Sequence, residues 1–368
     1  MQPSRSRDPG ARPTIETVAA RVGVSRQTVS NAINAPERLR PDTLARVLEA
    51  VEELGYRPSQ AARSLRTEAT KVIGCRLLPT THNGTGGVLD RLFHALCDET
   101  RKNGYDVLTF SAATDDEEIA VYDDLLRRRA VDGFVLTNTH GGDARPDWLV
   151  EHGSRFVAFG RPWGVKRPRH SWVDVDGAAG TADAVSHLAR LGHSRIAYLG
   201  AEGGGVAEDR LRGWQEAVDA CRLPRRSLLA RDEDGIAPGR SLADRMLSFA
   251  HPPTAFVCSS DALAIGAMRA IEDRGFRPGH DVAVVGFDDS IAAGVVRPGL
   301  SSIRQPIETV AQQLVTLLLG ELAGSLDRPT HVLVRPRLVL RESSGPLEER
   351  YRADLAVEPV PSPDPDAS

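Results

Sequence analysis

Residues 24–34 read VSRQTVSNAIN and predict a short helix with two different faces. Ser25 suits the N-cap position, because its side-chain oxygen can accept a hydrogen bond from a free backbone N–H of the first turn. Val29 and Ile33 are spaced i, i+4 and predict the buried face. The opposite face carries side chains that form hydrogen bonds, namely Arg26, Gln27, Ser30 and Asn31. This face indicates contact with a polar partner.

The stretch lies in the middle of a small unit of three predicted helices, residues 14–56. A first helix, TIETVAARV, ends at a turn through Gly23, and a third, PDTLARVLEAVEEL, follows a loop through Pro36. Two helices joined by a tight turn, with polar residues opening the second, are typical of a helix-turn-helix. A structural cap whose second helix has a solvated face is the alternative. A unit of about 45 residues encloses little core, which favours a functional role.

The residue types on the second helix favour DNA as the partner. Arg26 and Gln27 stand at its start, and arginine and glutamine are among the residues that hydrogen-bond guanine and adenine edges in the major groove. Thr28 and Ser30 can contact phosphates, which positions a protein on DNA without reading its sequence. The sequence therefore predicts that this helix binds double-stranded DNA.

Composition and length indicate a globular protein of two or three domains. The chain has 368 residues, of which 41% are hydrophobic and 26% charged. No apolar run approaches the roughly 18 residues that a membrane helix needs, and the polar start MQPSRSRDPGARP does not resemble a signal peptide. We therefore expect a cytoplasmic, nucleoid-associated protein with no membrane partner. Cys75, Cys97, Cys221 and Cys258 are far apart, which predicts reduced thiols and no metal site.

The net charge of −4 is distributed unevenly along the chain. Residues 1–70 hold eleven arginines against eight acids, a net of +3, whereas residues 346–368 hold six acids and two arginines, a net of −4. The acidic excess is thus concentrated in a proline-rich tail, which predicts disorder there. The mildly basic N-terminal segment remains compatible with a nucleic-acid partner.

From residue 72 onward the sequence alternates between strand-like and helix-like segments. This alternation predicts an α/β core of mostly parallel sheets flanked by helices, with ligands at the carboxyl ends of the strands. About 270 residues of this pattern are long for one sheet and indicate two similar lobes. Strands are predicted over residues 72–78, 105–110, 133–137, 156–159, 195–199, 254–258 and 281–287.

Several motifs in one order resemble the lactose/galactose repressor (LacI/GalR) family of bacterial transcription regulators. They include TIETVAARVGVSRQTVSNAIN, LARVLEAVEELGYRPSQAARSLRT, WVDVDGAAG, HLARLGHSRIAYLG, RLRGW, SSDALAIGAMRAI, VVGFDD and LSSIRQP. The resemblance covers residues 14–341. It implies an N-terminal helix-turn-helix headpiece, a hinge helix and a two-lobed core like that of periplasmic sugar-binding proteins.

The resemblance also implies domain limits. The expected parts are a disordered arm (1–13), the headpiece (14–58), the hinge helix or linker (59–70), the effector-binding and dimerisation core (71–345) and the disordered acidic tail (346–368). Within the core, the first lobe is expected at about 71–172 and 302–325, and the second at about 174–298 and 328–345.

For DNA recognition, the resemblance implies base contacts by Arg26, Gln27 and Asn31. Many relatives carry arginine at the third of these positions, so Asn31 is a departure that bears on the operator sequence. The segment SQAARSLR matches the hinge helix, where Leu65 would insert into the minor groove between phosphate-contacting Arg63 and Arg66. An apolar wedge of this kind kinks a duplex. A flexible linker with one ordinary leucine is the alternative.

For the effector, the resemblance implies contacts by Arg210 and Asp288. Ser260, which follows a predicted strand at a strand-to-helix turn, is a further candidate, as are Arg161 and Trp163 near the cleft that the resemblance implies. A guanidinium such as that of Arg210 can bind vicinal hydroxyls or a carboxylate. Three of these residues have a structural alternative: a surface arginine for Arg210, a cap for Asp288 and lobe packing for Trp163. Asp261 could cap its helix, leaving Ser260 to the ligand.

One segment departs from the family pattern. Many relatives have an aromatic residue in the stretch that reads RDEDGIAPGR here, which offers Gly235 and Ile236 instead. Trp163 or another ring could supply the missing aromatic surface, or the effector could differ from the usual sugars.

Motifs of common enzyme classes are missing from the sequence. It contains no Walker lysine motif, no GxSxG elbow and no HExxH spacing, so neither catalysis nor a cofactor is predicted. We expect a ligand-responsive regulator, a repressor of carbohydrate-utilisation genes that binds a palindromic operator as a homodimer with a sugar-like effector. The alternatives are a sugar-binding protein without a regulatory role and a regulator that answers to a protein partner.

Overall fold

The computed structural model describes residues 13–56, 69–77, 86–225 and 228–345. The chain divides after Lys71 into two compact units. Most of the predicted arm, the hinge residues Arg63, Leu65 and Arg66, and the acidic tail lie outside the described residues. Among the described residues, no helix is both long and apolar enough to cross a membrane.

The first unit consists of three helices, α1 (Ile15–Val22), α2 (Arg26–Asn34) and α3 (Pro41–Glu53), with a short 3₁₀ turn at Pro36–Arg38. Local sequence sets the helix ends. Thr14 and Thr17 form a reciprocal capping box at the start of α1, and Gly23 ends it with a φ of 74°, a backbone conformation that favours glycine. Ser25 caps α2, as the sequence predicted.

The core of this unit is small and aliphatic. Val29 is fully buried, and Ile33 is half-buried against the same cluster, so the predicted inner face of α2 is confirmed. The helices are held by the following buried residues: Val18, Ala19, Val22, Val29, Ala32, Val47 and Ala50. The outer face of α2 is left to solvent.

The second unit contains two six-stranded sheets. The first has the order β11-β5-β4-β3-β1-β2 and is parallel throughout. Its strands are β1 (Val72–Arg76), β2 (Asp106–Phe110), β3 (Gly133–Leu136), β4 (Phe156–Phe159), β5 (Ser171–Val175) and β11 (His331–Val334). The helices of this lobe are α4 (Gly86–Lys102), α5 (Asp115–Arg127), α6 (Arg145–Glu151) and α12 (Ile307–Ala323).

The second sheet has the order β12-β10-β9-β8-β6-β7 and is parallel except for β12, which runs antiparallel to β10. Its strands are β6 (Ile196–Ala201), β7 (Leu229–Asp232), β8 (Ala255–Cys258), β9 (Ala283–Phe287), β10 (Ser301–Arg304) and β12 (Arg337–Val339). The helices of this lobe are α7 (Gly177–Arg190), α8 (Gly205–Ala220), α9 (Ile236–Leu247), α10 (Asp261–Asp273) and α11 (Ile291–Val295). The fold class is the predicted one.

The predicted lobe limits need correction, because backbone pairing decides to which sheet a strand belongs. Strand β10 pairs with β9 and therefore lies in the second lobe, although residues 302–325 were expected in the first. Strand β11 pairs with β5 and lies in the first lobe, although residues 328–345 were expected in the second. Residues 174–175 belong to β5, again in the first lobe.

Helices α7 and α8 approach each other closely at Gly213. A Cβ atom at this position would overlap the backbone of Ala178 in α7. Because Gly213 has no side chain, α7 and α8 can pack closely beside the junction between the lobes.

We predict that Gly213→Ala lowers the free energy of unfolding by about 1–3 kcal/mol, because a rigid backbone must move to admit the methyl group. Gly87→Ala in α4 is the matched control, since a Cβ atom there meets nothing within 4 Å. The control should be neutral or stabilising by up to about 1 kcal/mol. Urea unfolding measures both, and equal stability of the two variants would contradict the prediction.

Candidate nucleic-acid interface and inter-lobe cavity

The outer face of α2 presents its polar side chains to solvent. The Arg26 side chain is 70% exposed, and its Nη1 lies 2.9 Å from Oε1 of Glu16 on α1. The Arg26 guanidinium lowers the pKa of the Glu16 carboxyl. An exposed ion pair contributes little stability, so Arg26 can leave Glu16 for another acceptor at small cost.

Gln27 and Asn31 are joined on the same face. Nε2 of Gln27 donates to Oδ1 of Asn31 over 2.9 Å. The two residues are four positions apart, about one helical turn, and therefore lie on the same face. The pair leaves the carbonyl oxygen of Gln27 and the amide nitrogen of Asn31 for a further partner. Paired amide groups with a free donor and a free acceptor match the donor and acceptor pattern of base edges.

Thr28 and Ser30 lie at the border of this face and are half-buried. The Thr28 hydroxyl is 2.9 Å from Oγ of Ser25, and the Thr28 N–H donates to the same oxygen over 3.0 Å. Thr28 is therefore also part of the helix cap. The structure brings together all five predicted DNA-contacting residues of α2, whose roles in binding stay predictions.

A cavity of about 160 Å³ lies between the two lobes of the second unit. It forms where the carboxyl ends of the strands of the two sheets face each other, the usual ligand position in such sheets. The described residues that line it are Val88, Leu89, Asn138, Thr139, Phe159, Gly160, Trp163, Asp174, Val175, Gly177, Val206, Asp209, Arg210, Phe287, Asp288 and Gln305.

Arg210 enters this cavity from α8. Its guanidinium carbon lies 3.7 Å from the centre of the Phe287 ring, close enough for a cation–π contact. Nη1 donates to the Ser259 carbonyl over 2.5 Å, and Nη2 lies 3.5 Å from Oδ1 of Asp288. Nε is buried and has no hydrogen-bond partner among the described residues. A ligand oxygen would satisfy it.

Asp288 follows β9 at the floor of the cavity, with a φ of 107°. Gln305 donates to its Oδ1 from Nε2 over 2.7 Å. Burial raises the pKa of Asp288 to about 6, although the nearby Arg210 cation opposes the rise. Asp288 is therefore a buried acceptor held by two neighbours, and a hydroxyl donor from a ligand would stabilise its charged form.

Trp163 closes one side of the cavity. Its ring packs on Gly205 in the first turn of α8, where any Cβ atom would overlap the indole. The guanidinium of Arg161 lies 4.8 Å from the ring centre, and the indole N–H is buried without an acceptor among the described residues. Trp163 therefore packs between the lobes and carries a buried N–H donor without a partner among the described residues at the edge of the cavity.

Two predicted effector residues take other positions. Arg161 is not among the residues that line the cavity; its guanidinium is engaged by Asp174 and Asp209. Ser260 does not line the cavity either. Its Oγ accepts from the Leu263 N–H over 3.1 Å as the N-cap of α10, and it donates to Asp234.

Asp261 is not the cap that the sequence suggested. Its two carboxylate oxygens accept from the Ser302 hydroxyl over 2.5 Å and from the Ser290 N–H over 2.6 Å. Burial and the neighbouring Asp288 raise the pKa of Asp261 to about 7. Asp261 thus joins α10 to the loop that carries Asp288.

The structure adds residues that sequence reasoning missed. Gln305 and Phe287 stand directly after β10 and at the end of β9, so the rule that ligands bind at strand carboxyl ends could have found them. Gly235 and Ile236 begin α9 outside the cavity lining. The aromatic surfaces of the cavity are supplied instead by Phe159, Trp163 and Phe287.

Asp115, His140 and Asp143 form a group with possible metal-ligand geometry in the first lobe. Both carboxylates are also held by the fully buried Arg145, whose Nη2 lies 2.8 Å from Asp143 and whose Nε lies 3.4 Å from Asp115. A guanidinium between the carboxylates opposes a cation in the same place. We assign no metal to this group.

Comparison with known proteins gives consistent matches to both units. Residues 14–59 match the family described as "Bacterial regulatory proteins, lacI family", and residues 185–344 match a periplasmic binding protein-like domain. The HTH-type transcriptional regulator CelR of Thermobifida fusca is 33% identical over 345 residues, which cover 90% of this chain and 98% of CelR.

Solved structures agree with this result. The Lac repressor dimer bound to operator and the anti-inducer ONPF gives a TM-score of 0.79 at 25% identity, covering 91% of this chain and all of that chain. A complex of the transcriptional regulator CelR with cellobiose gives a TM-score of 0.67 at 28% identity, covering 90% of this chain and all of that chain.

Proposed function

The chain belongs to the lacI family of bacterial regulatory proteins and is a DNA-binding transcription regulator rather than an enzyme, and from this premise we propose that it is a ligand-responsive repressor of carbohydrate-utilisation genes. One observation carries the proposal: a single chain combines a helix-turn-helix whose second helix exposes base-reading residue types with a core that encloses a polar and aromatic cavity. It acts in the cytoplasm, on the bacterial nucleoid.

On the DNA side, we propose that α2 enters the major groove and that Arg26, Gln27 and Asn31 contact base edges. Thr28 and Ser30 would hold phosphates at the groove border. Two headpieces of a homodimer would read a palindromic operator, because a two-fold protein imposes two-fold symmetry on its site. The Lac repressor, a structural neighbour, was solved as a dimer bound to operator.

On the effector side, we propose that a small sugar or glycoside binds the inter-lobe cavity. Arg210, Asp288 and Gln305 supply buried donors and acceptors for hydroxyl groups, and Phe287 and Trp163 supply apolar ring faces. This mixture of a few fixed polar groups with aromatic walls is usual for small-molecule sites. A transcriptional regulator CelR, a structural neighbour of this chain, was solved in complex with cellobiose, which supports the sugar class.

The response follows from the position of the cavity between two lobes. A ligand that contacts both lobes favours the arrangement to which it binds more tightly. If that arrangement differs in operator affinity, ligand and operator affinities become coupled to the same extent in both directions. The core thus serves as a two-state element whose equilibrium the ligand shifts.

The test of this proposal is selection of genomic fragments by the purified protein at about 0.15 M salt, where non-specific phosphate binding is suppressed. We expect the selection to recover a palindromic sequence upstream of carbohydrate genes. A sugar that raises the melting temperature of the protein should change how much of this DNA the protein retains. If no sequence is enriched, either without ligand or in the presence of each sugar that binds, the proposal is wrong, and the alternative of a sugar-binding protein without a regulatory role is supported.

A further prediction concerns Leu65, which lies outside the described residues. We expect Leu65→Ala to reduce both operator affinity and operator bending, because an alanine is too short to unstack a base step. Gel mobility of circularly permuted operator fragments measures the bend. Bending that is unchanged in the variant would show that Leu65 is not a wedge.

A further inference from the structure

Arg161, in the loop after β4, contacts carboxylates from both lobes. In the first lobe, its Nε lies 2.6 Å from Oδ2 of Asp174, on β5. In the second lobe, its Nη2 lies 3.1 Å from Oδ2 of Asp209, on α8, and its Nη1 lies 3.4 Å from Oδ1. The planar guanidinium thus connects two elements that belong to different lobes.

Asp209 is the centre of this contact. It is buried, and besides Arg161 it accepts from Nη2 of Arg212 over 2.6 Å and from the backbone N–H of Ala178 over 3.1 Å. Arg212 lies on α8 itself, and Ala178 lies in the first turn of α7 just after the chain has crossed from β5. Only the contact with Arg161 therefore joins the lobes, whereas the other two are made within the second lobe.

Burial makes the bridge stronger than an exposed ion pair. The side chains of Arg161 and Asp209 are 20% and 5% exposed, and charges shielded from water interact more strongly and are less screened by salt. A second contact lies beside it, where Trp163 packs on Gly205 at the start of α8. The loop thus docks on the first turns of α8 at two points.

The bridge is adjacent to the effector site. Asp209 directly precedes Arg210, and both Asp174 and Asp209 line the cavity while Arg161 does not. The guanidinium N–H groups of Arg161 donate to protein acceptors, including the Val175 carbonyl oxygen, which lies 3.3 Å from Nη2. Its guanidinium is therefore placed to hold the walls of the cavity together.

We infer that Arg161 is a positioning residue that joins the two lobes through Asp209, and that it sets effector affinity by holding the cavity closed rather than by contacting the effector. The inference rests on the proposed function of the cavity as the effector site. When the lobes are already held together, binding costs less free energy for ordering the protein. When binding must also bring the lobes together, part of the binding free energy is lost and the ligand binds more weakly.

The test compares Arg161→Gln with Arg212→Gln, in full-length protein. Both variants remove a cation from Asp209, but only the first removes a contact between lobes. Arg161→Gln also removes contacts with Asp174 and Val175 inside the first lobe, so faster exchange in residues 205–210, and not in residues 160–164 alone, reports on the contact between lobes. Hydrogen–deuterium exchange without ligand reads the bridge directly. Arg161→Gln should speed exchange of the amides in residues 160–164 and 205–210 several-fold, Arg212→Gln should leave residues 160–164 unchanged, and Arg161→Lys should restore part of the protection.

Cellobiose titration is the second readout. Where wild type binds it, Arg161→Gln should weaken binding about 5- to 10-fold and Arg212→Gln much less. Equal exchange in the two glutamine variants would overturn the inference. So would lost cellobiose binding with unchanged exchange, because Arg161 would then be an effector contact. Failure of wild type to bind any sugar would contradict the proposed function, while the exchange comparison would still decide whether Arg161 joins the lobes.

Discussion

Arg26→Ala is expected to weaken specific operator binding by about 1–3 kcal/mol and to relax the base preference at one position in each half-site. The reason is geometric: Arg26 is at the first position of α2 and exposed, and among the described residues its side chain is held only by the exposed Glu16. A guanidinium at that point can exchange Glu16 for the two acceptors on the major-groove edge of guanine. Alanine leaves those two acceptors without a partner, so binding to operators that carry the preferred base is weakened most.

Arg21→Ala is the matched control for this experiment. Arg21 is a similarly exposed arginine in the same unit, paired with Glu53 at 3.0 Å, but it lies on α1. Binding measured across a library of operator variants should show a change of base preference for Arg26→Ala alone. An equal loss on every sequence would instead identify Arg26 as a phosphate contact, and the assignment to base reading would be wrong.

Local sequence was sufficient to predict α2, because the information that specifies it lies within the helix and its cap. Ser25 supplies the cap, and the i, i+4 spacing of Val29 and Ile33 defines the buried face. The strand pattern was less informative. Strands β5, β7, β10, β11 and β12, of three to five residues each, were missed, since they owe their conformation to pairing with partners elsewhere in the chain.

The inter-lobe cavity shows the same limit at the level of side chains. Arg210 and Asp288 are found from motifs, but which acceptors surround them depends on segments that are far apart in sequence, such as Gln305. Ser260 was predicted in the cavity because it follows a strand, yet the free N–H of Leu263 and the carboxylate of Asp234 engage its hydroxyl. The sequence does not predict such hydrogen-bond partners, because they come close to the hydroxyl only in the folded chain.

Arg210→Ala is expected to abolish the ligand response while leaving operator affinity without ligand intact. Two effects combine: the cavity loses its buried guanidinium, and the pKa of Asp288 rises above about 6, since the Arg210 cation no longer opposes the effect of burial. At neutral pH a larger fraction of Asp288 then carries a proton, so the acceptor that a ligand hydroxyl needs is weakened together with the donor.

Arg212→Ala, two residues further along α8, is the control for Arg210→Ala, because Arg212 is half-exposed and does not line the cavity. Operator binding with and without cellobiose, together with melting temperatures, measures both variants. A response that survives Arg210→Ala would place the effector elsewhere. If operator binding by wild type is regulated but no sugar changes its melting temperature, a protein partner becomes the better explanation, and the exposed surface of the core would be the place to seek it.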